Sequence, residues 1–101
     1  MTPIPPRGIL GGVKEDVKKK AVRRLRIING QVKGLERMVS GDKYCIDIIH
    51  QSLAAKEALS SFENLMLENH LRIHVVEQVR KGKDEKAIKE ILSVHKLSRH
   101  R

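Results

Sequence analysis

Aromatic side chains are almost missing: the 101-residue chain holds one Tyr, one Phe and no Trp. A core must therefore come from Leu, Ile, Val, Ala and Met. The β-branched and aromatic runs that mark sheets are absent, so interdigitating helices and an all-α fold are expected. A single cysteine, Cys45, excludes an intrachain disulfide and fits a reducing, cytoplasmic compartment. No run of about eighteen apolar residues occurs, so no membrane span is expected. Residues Met1–Gly12 hold three prolines and three glycines but no apolar core of a secretory signal. No acid/base pair and no phosphate-cradling loop is evident, and Cys45 is the only candidate nucleophile, which argues against an enzyme.

What is abundant is positive charge. The net charge is +9, unevenly spread. Residues 1–40 carry ten Lys/Arg against three acids, residues 41–80 four against six, and residues 81–101 seven against three. A basic N-terminal third and tail around a slightly acidic middle suggest a scaffold that presents one face to a polyanion. A merely solvated basic surface explains the excess equally well.

The chain reads as a flexible arm (1–12), one helical domain (13–96) and a basic tail (97–101). From Val13 the apolar positions Val17, Ala21, Leu25, Ile28, Val32, Leu35 and Val39 follow four-three spacing, one stripe of a helix of about seven turns. Gly41 suits the residue just past its end and Asp42 the N-cap of the next helix. Gly30 and Gly34, inside the first helix, suggest close approach of a neighbouring helix. Nothing breaks the chain from Lys43 to about Arg80, so a very long second helix, about 57 Å at 1.5 Å per residue, is predicted. Its apolar residues Ile46, Ile49, Leu53, Leu59, Phe62, Leu65, Met66, Ile73, Val76 and Val79 cover more than the first helix can bury, which requires an oligomer. A third helix, Asp84 to Lys96, points Ala87, Ile88, Ile91 and Leu92 inward, with Asp84 and Glu85 at its N-terminus, where acids are favoured.

Cys45, His70 and His74 lie on the long helix. His70 and His74, four apart, share a face. At about 100° per residue, both fall within ~20° of Cys45 around the axis. Along the axis, however, Cys45 and His70 are about 37 Å apart, too far for one ion within one chain. An antiparallel twofold partner brings Cys45 of one subunit to the two histidines of the other and makes two identical sites. The alternative is a small buried Cys and two surface histidines. His50, His95 and His100 read as surface or tail residues.

Three stretches in order, Arg24-Leu-Arg-Ile-Ile-Asn-Gly-Gln-Val-Lys-Gly34, Tyr44-Cys-Ile-Asp47 and His70-Leu-Arg72, resemble the copper-sensitive operon repressor family (CsoR/RcnR type) from about Val17 to Ile91. The resemblance implies an antiparallel dimer that pairs into a tetramer, binds operator DNA without inducer and releases it when the inducer binds. It implies Cys45 as thiolate ligand and His70 as first imidazole. His74 stands where copper sensors usually have a second Cys and the nickel/cobalt branch has His. That branch adds an N-terminal His, and here none precedes His50. A three-ligand S,N,N site suits Cu(I), with Ni(II), Co(II) or Zn(II) as alternatives. Tyr44 and Glu90 resemble residues that back the ligands and link them to the third helix; a packed Tyr and a solvated Glu are the plain alternative. Arg24 matches the family's characteristic arginine, and Lys18, Lys19, Lys20 and Arg23 extend the DNA-facing patch. Phosphate contacts would supply affinity, and groove shape much of the specificity. Competing readings are an aldehyde or redox sensor using Cys45 on the same scaffold, and a metal-buffering or structural helical protein without a DNA target.

Overall fold

The computed structural model describes residues 12–98, and every regular element among them is helical. The remainder of the expected arm, residues 1–11, and the tail beyond Ser98 lie outside the described residues. Helix α1 spans Glu15–Ser40. A second rod runs unbroken from Cys45 to Arg80: α2 (Cys45–Asn69), a π-helical segment (His70–Val75) and α3 (Val76–Arg80). The last helix, α4, spans Asp84–Ser98. Three helical rods with a very long central one is the architecture expected from the sequence.

Both turns that separate the rods stop a helix by the same device. After α1, Asp42 N–H donates to Val39 O (3.2 Å) and Lys43 N–H to Met38 O (2.9 Å); after α3, Gly82 N–H donates to Val79 O (3.1 Å) and Lys83 N–H to Gln78 O (2.7 Å). These paired bonds satisfy carbonyls that the helix end leaves open and need one residue at positive φ. Gly82 takes it at φ 72°, and Asp42 at φ 55°. Asp42 is therefore the left-handed residue that ends α1, not the N-cap of α2. The N-cap is Tyr44, which makes no side-chain cap bond. Gly41 is the C-cap of α1, at φ −90°. Replacing Gly82 by Ala would force an L side chain into the left-handed region, and is expected to cost about 1 kcal/mol of unfolding free energy, read by chemical denaturation at fixed protein concentration.

Antiparallel packing of α1 on α2 buries few side chains. Ala21 and Ile28 of α1 and Ala55 of α2 are buried, with Ala87 of α4, and these are the buried apolar residues among those described. The α1 stripe divides in two. Ala21 and Ile28 face the protomer, while Leu25, Val32 and Val39 remain 41%, 50% and 61% exposed. On the long rod Ile46, Ile49, Leu53, Leu59, Val76 and Val79 are exposed as well. In α4, Ala87 points inward as expected, but Ile88 and Leu92 are half-exposed, on a side of the helix that the rod does not cover. Among the described residues nothing approaches within 4 Å of where a Cβ would sit on Gly30, and Gly34 meets only Arg37 of its own helix, so neither glycine serves a close helix crossing there. The extents are 55 × 33 × 21 Å and the radius of gyration is 17.7 Å, against about 13 Å for a compact 100-residue domain. Among the described residues, no helix is long and apolar enough to cross a membrane.

Candidate metal centre and basic face

The three candidate ligands sit at two places on the long rod. Cys45 is the first residue of α2 and is exposed, beside Tyr44, which is 71% exposed. About 37 Å of helical rise separates it from His70. Among the described residues no group of three His, Cys, Asp or Glu side chains gathers within one chain to hold a metal. The structure thus brings two of the three predicted residues together and leaves the third at the opposite end.

His70 and His74 both fall in the π-helical segment, with ring centroids 5.3 Å apart and planes tilted by 33°. A turn closed by i→i+5 bonds is wider than an α turn, and such segments recur at functional sites. Nothing in the sequence marks it, and the 100° arithmetic that holds through Asn69 fails beyond that point. The rings stay adjacent all the same.

Each ring is backed from its own chain. His70 Nε2 is shut off from solvent and lies 3.5 Å from Glu90 Oε1, too long for a hydrogen bond from a ring nitrogen. Glu90 in turn accepts a bond from Gln78 Nε2 at 3.2 Å. One carboxylate of α4 therefore meets both the π-helical segment and α3. His74 Nε2 lies 3.0 Å from the carbonyl oxygen of Gly12. A carbonyl only accepts, so Nε2 carries the hydrogen, and in the neutral ring Nδ1 then keeps its lone pair. That free nitrogen is what a metal requires of a neutral imidazole. Two adjacent imidazoles, completed by a thiolate, make a low-coordinate donor set of the kind Cu(I) accepts.

Sequence reasoning missed Asn69 and Gly12. Asn69 is 4% exposed, the one buried polar residue among those described. Its Oδ1 accepts Lys14 N–H (3.2 Å) and its Nδ2 donates to Gly12 O (2.6 Å). The end of the expected arm is thereby fastened to the residue preceding His70. Asn on an otherwise periodic helix face is the only trace of this in the sequence.

The basic residues cluster along α1. Lys19, Lys20 and Arg23 are exposed, and Lys18 lies 3.8 Å from Glu15. Arg24 is half-buried, and its Nη1 donates to Ser61 O (3.0 Å) and Ser61 Oγ (3.1 Å), so it also ties α1 to α2.

A profile described as Metal-sensitive transcriptional repressor matches residues 17–96. The copper-sensing transcriptional repressor CsoR of Bacillus subtilis is 38% identical over 79 residues, 78% of each chain. The copper-sensing transcriptional repressor RicR of Mycobacterium tuberculosis is 42% identical over 65 residues, 64% of this chain and 68% of that one. Among solved structures, the copper-sensing repressor CsoR with Cu(I) from Geobacillus thermodenitrificans superposes with a TM-score of 0.77 at 31% identity, covering 96% of this chain and 92% of that one.

Proposed function

Because this chain belongs to the metal-sensitive transcriptional repressors, we propose that it holds operator DNA in its metal-free form and releases it when Cu(I) binds between Cys45 of one subunit and His70 and His74 of another. The observation that carries this reading is the division of the donors: an imidazole pair 5.3 Å apart at one end of a rod, and an exposed thiol about 37 Å away at the other. Only an antiparallel partner unites them, and the exposed apolar stripes on α1 and α2 supply a reason for that partner to bind. Names of the relatives favour copper over nickel, cobalt or zinc.

In this account the unliganded dimer pairs into a tetramer that lays the α1 faces with Lys18, Lys19, Lys20, Arg23 and Arg24 against phosphates. Bound at the subunit boundary, Cu(I) supplies a crosslink between the start of one rod and the π-helical segment of another. Glu90 of α4, against His70 and bonded to Gln78, would carry a shift of that ring to α3 and to its own helix. Tyr44, adjacent to Cys45 and exposed in the protomer, would pack at that same boundary. By linkage, DNA must weaken metal binding by the factor by which metal weakens DNA binding.

The test is fluorescence anisotropy on the chain's own upstream DNA during titration with Cu(I), Ni(II), Co(II) and Zn(II). Release is expected with Cu(I) at one ion per protomer. Release by another metal alone would refute the copper assignment, and absence of DNA binding would refute the repressor reading. Replacing Lys20 or Arg23 by Ala is expected to weaken specific and random DNA alike and to lower the salt slope by about one, measured over a salt series.

A further inference from the structure

We infer that the Gly12 carbonyl is the anchor that fixes His74 for metal binding, and that Asn69 is the positioning residue that holds this carbonyl in place. The inference rests on the reading of His74 as a ligand and goes beyond it, because it assigns a role to the segment that precedes α1.

The geometry is over-determined. Lys14 N–H has only a hydrogen to offer, so the Asn69 oxygen must face it at 3.2 Å. That leaves the Asn69 amide hydrogens facing Gly12 O at 2.6 Å. The same oxygen receives His74 Nε2–H at 3.0 Å, so both lone pairs of one carbonyl are used. Asn69 is 4% exposed, where an unpartnered amide would cost about 1–3 kcal/mol, so its orientation is firmly set. Gly12 reaches this position at φ 113°, which an L side chain rarely adopts. Metal-ligating histidines characteristically donate their other ring N–H to a carbonyl or carboxylate, which fixes tautomer and ring orientation and is worth about 10–100-fold in metal affinity. Here that partner is main chain, and its position is set by a side chain on the same rod as the ligand. The clasp also joins the two functional regions: Asn69 precedes His70, and Lys14 is the N-cap of α1, the helix with the basic face.

Two variants test this in the full chain. Gly12→Ala changes chiefly the backbone preference, since a Cβ there meets nothing within 4 Å among the described residues. Asn69→Ala removes both clasp bonds while raising helix propensity. Wild-type apo-protein labelled with 15N on histidine is expected to show His74 with a protonated Nε2 and an unprotonated Nδ1, without averaging. Both variants are expected to shift these signals toward the average of two tautomers and to weaken Cu(I), measured against a chromophoric chelator, by about 10–100-fold. Thermal unfolding of Gly12→Ala should shift by about as much as that of Gly82→Ala, which carries a similar backbone cost away from the clasp and should keep the wild-type His74 signals and Cu(I) affinity; that separates positioning from folding. If both variants keep the His74 signals and the Cu(I) affinity, the inference is overturned while the site reading stands. If His74→Ala itself leaves Cu(I) affinity unchanged, the site reading falls and takes the inference with it.

Discussion

Replacing Cys45 by Ala is expected to abolish release of operator DNA by Cu(I) while leaving DNA binding by the apo-protein unchanged. The side chain sits at the first residue of α2, is exposed and contributes nothing to the protomer core, so its loss opens no cavity. None of the basic residues of α1 depends on it. The coupling that disappears is set by allosteric free energies of about 1–3 kcal/mol, so a roughly 5–150-fold weakening of DNA binding by metal in the wild type should fall to none in the variant. Anisotropy titrations with and without Cu(I) at constant salt read both quantities. A variant that loses apo-DNA binding, or still responds fully, contradicts the role given to Cys45.

A second large effect is expected from Leu53→Glu. Leu53 belongs to the α2 stripe with Ile46 and Ile49 and is 51% exposed in the protomer. In a twofold assembly the substitution is made twice. Each copy forfeits roughly half of the about 1.5–3 kcal/mol that full burial of a leucine is worth, and places a carboxylate in an apolar interface, which costs about 1–3 kcal/mol or more. The penalty of about 4 kcal/mol or more per dimer corresponds to a rise in dissociation constant of roughly a thousandfold. Sedimentation should show monomers at concentrations where the wild type is assembled. Cu(I) binding and DNA binding should fail together, because both require the partner. A dispersed but metal-competent Leu53→Glu monomer would rule out a site between subunits.

How far the sequence announces this molecule depends on the kind of interaction. The rods were legible because four-three spacing along α1 and the unbroken stretch to Arg80 are local patterns with one physical solution. The second turn was legible through Gly82. Asp42 was misleading, since one residue type serves both as an N-cap and at the left-handed position after a helix, and its φ of 55° with the Lys43–Met38 bond that closes α1 decided between them. Ile88 and Leu92 could not be placed by periodicity, which says that a stripe is apolar but not whether the covering surface is in the same chain. The adjacency of His70 and His74 was legible from their spacing, and the separation of Cys45 from them followed from helical rise alone. Glu90 came from resemblance, and the structure puts it beside His70. The π-helical segment, Asn69 and Gly12 were not legible. They depend on a main-chain carbonyl brought to His74 from 62 residues away, which no local pattern encodes.

The claim on which the account turns is that one site takes its thiolate and its imidazoles from different subunits. Mixing two inactive variants, Cys45→Ala and a His70→Ala/His74→Ala double variant, tests it directly when differently tagged chains allow the mixed dimers to be purified. An antiparallel dimer of one chain of each kind regains one intact site, with Cys45 from the double variant and both histidines from the other chain. Tight Cu(I) binding at one ion per mixed dimer, with none in either parent, is the predicted result; mixed dimers as inert as their parents would contradict it.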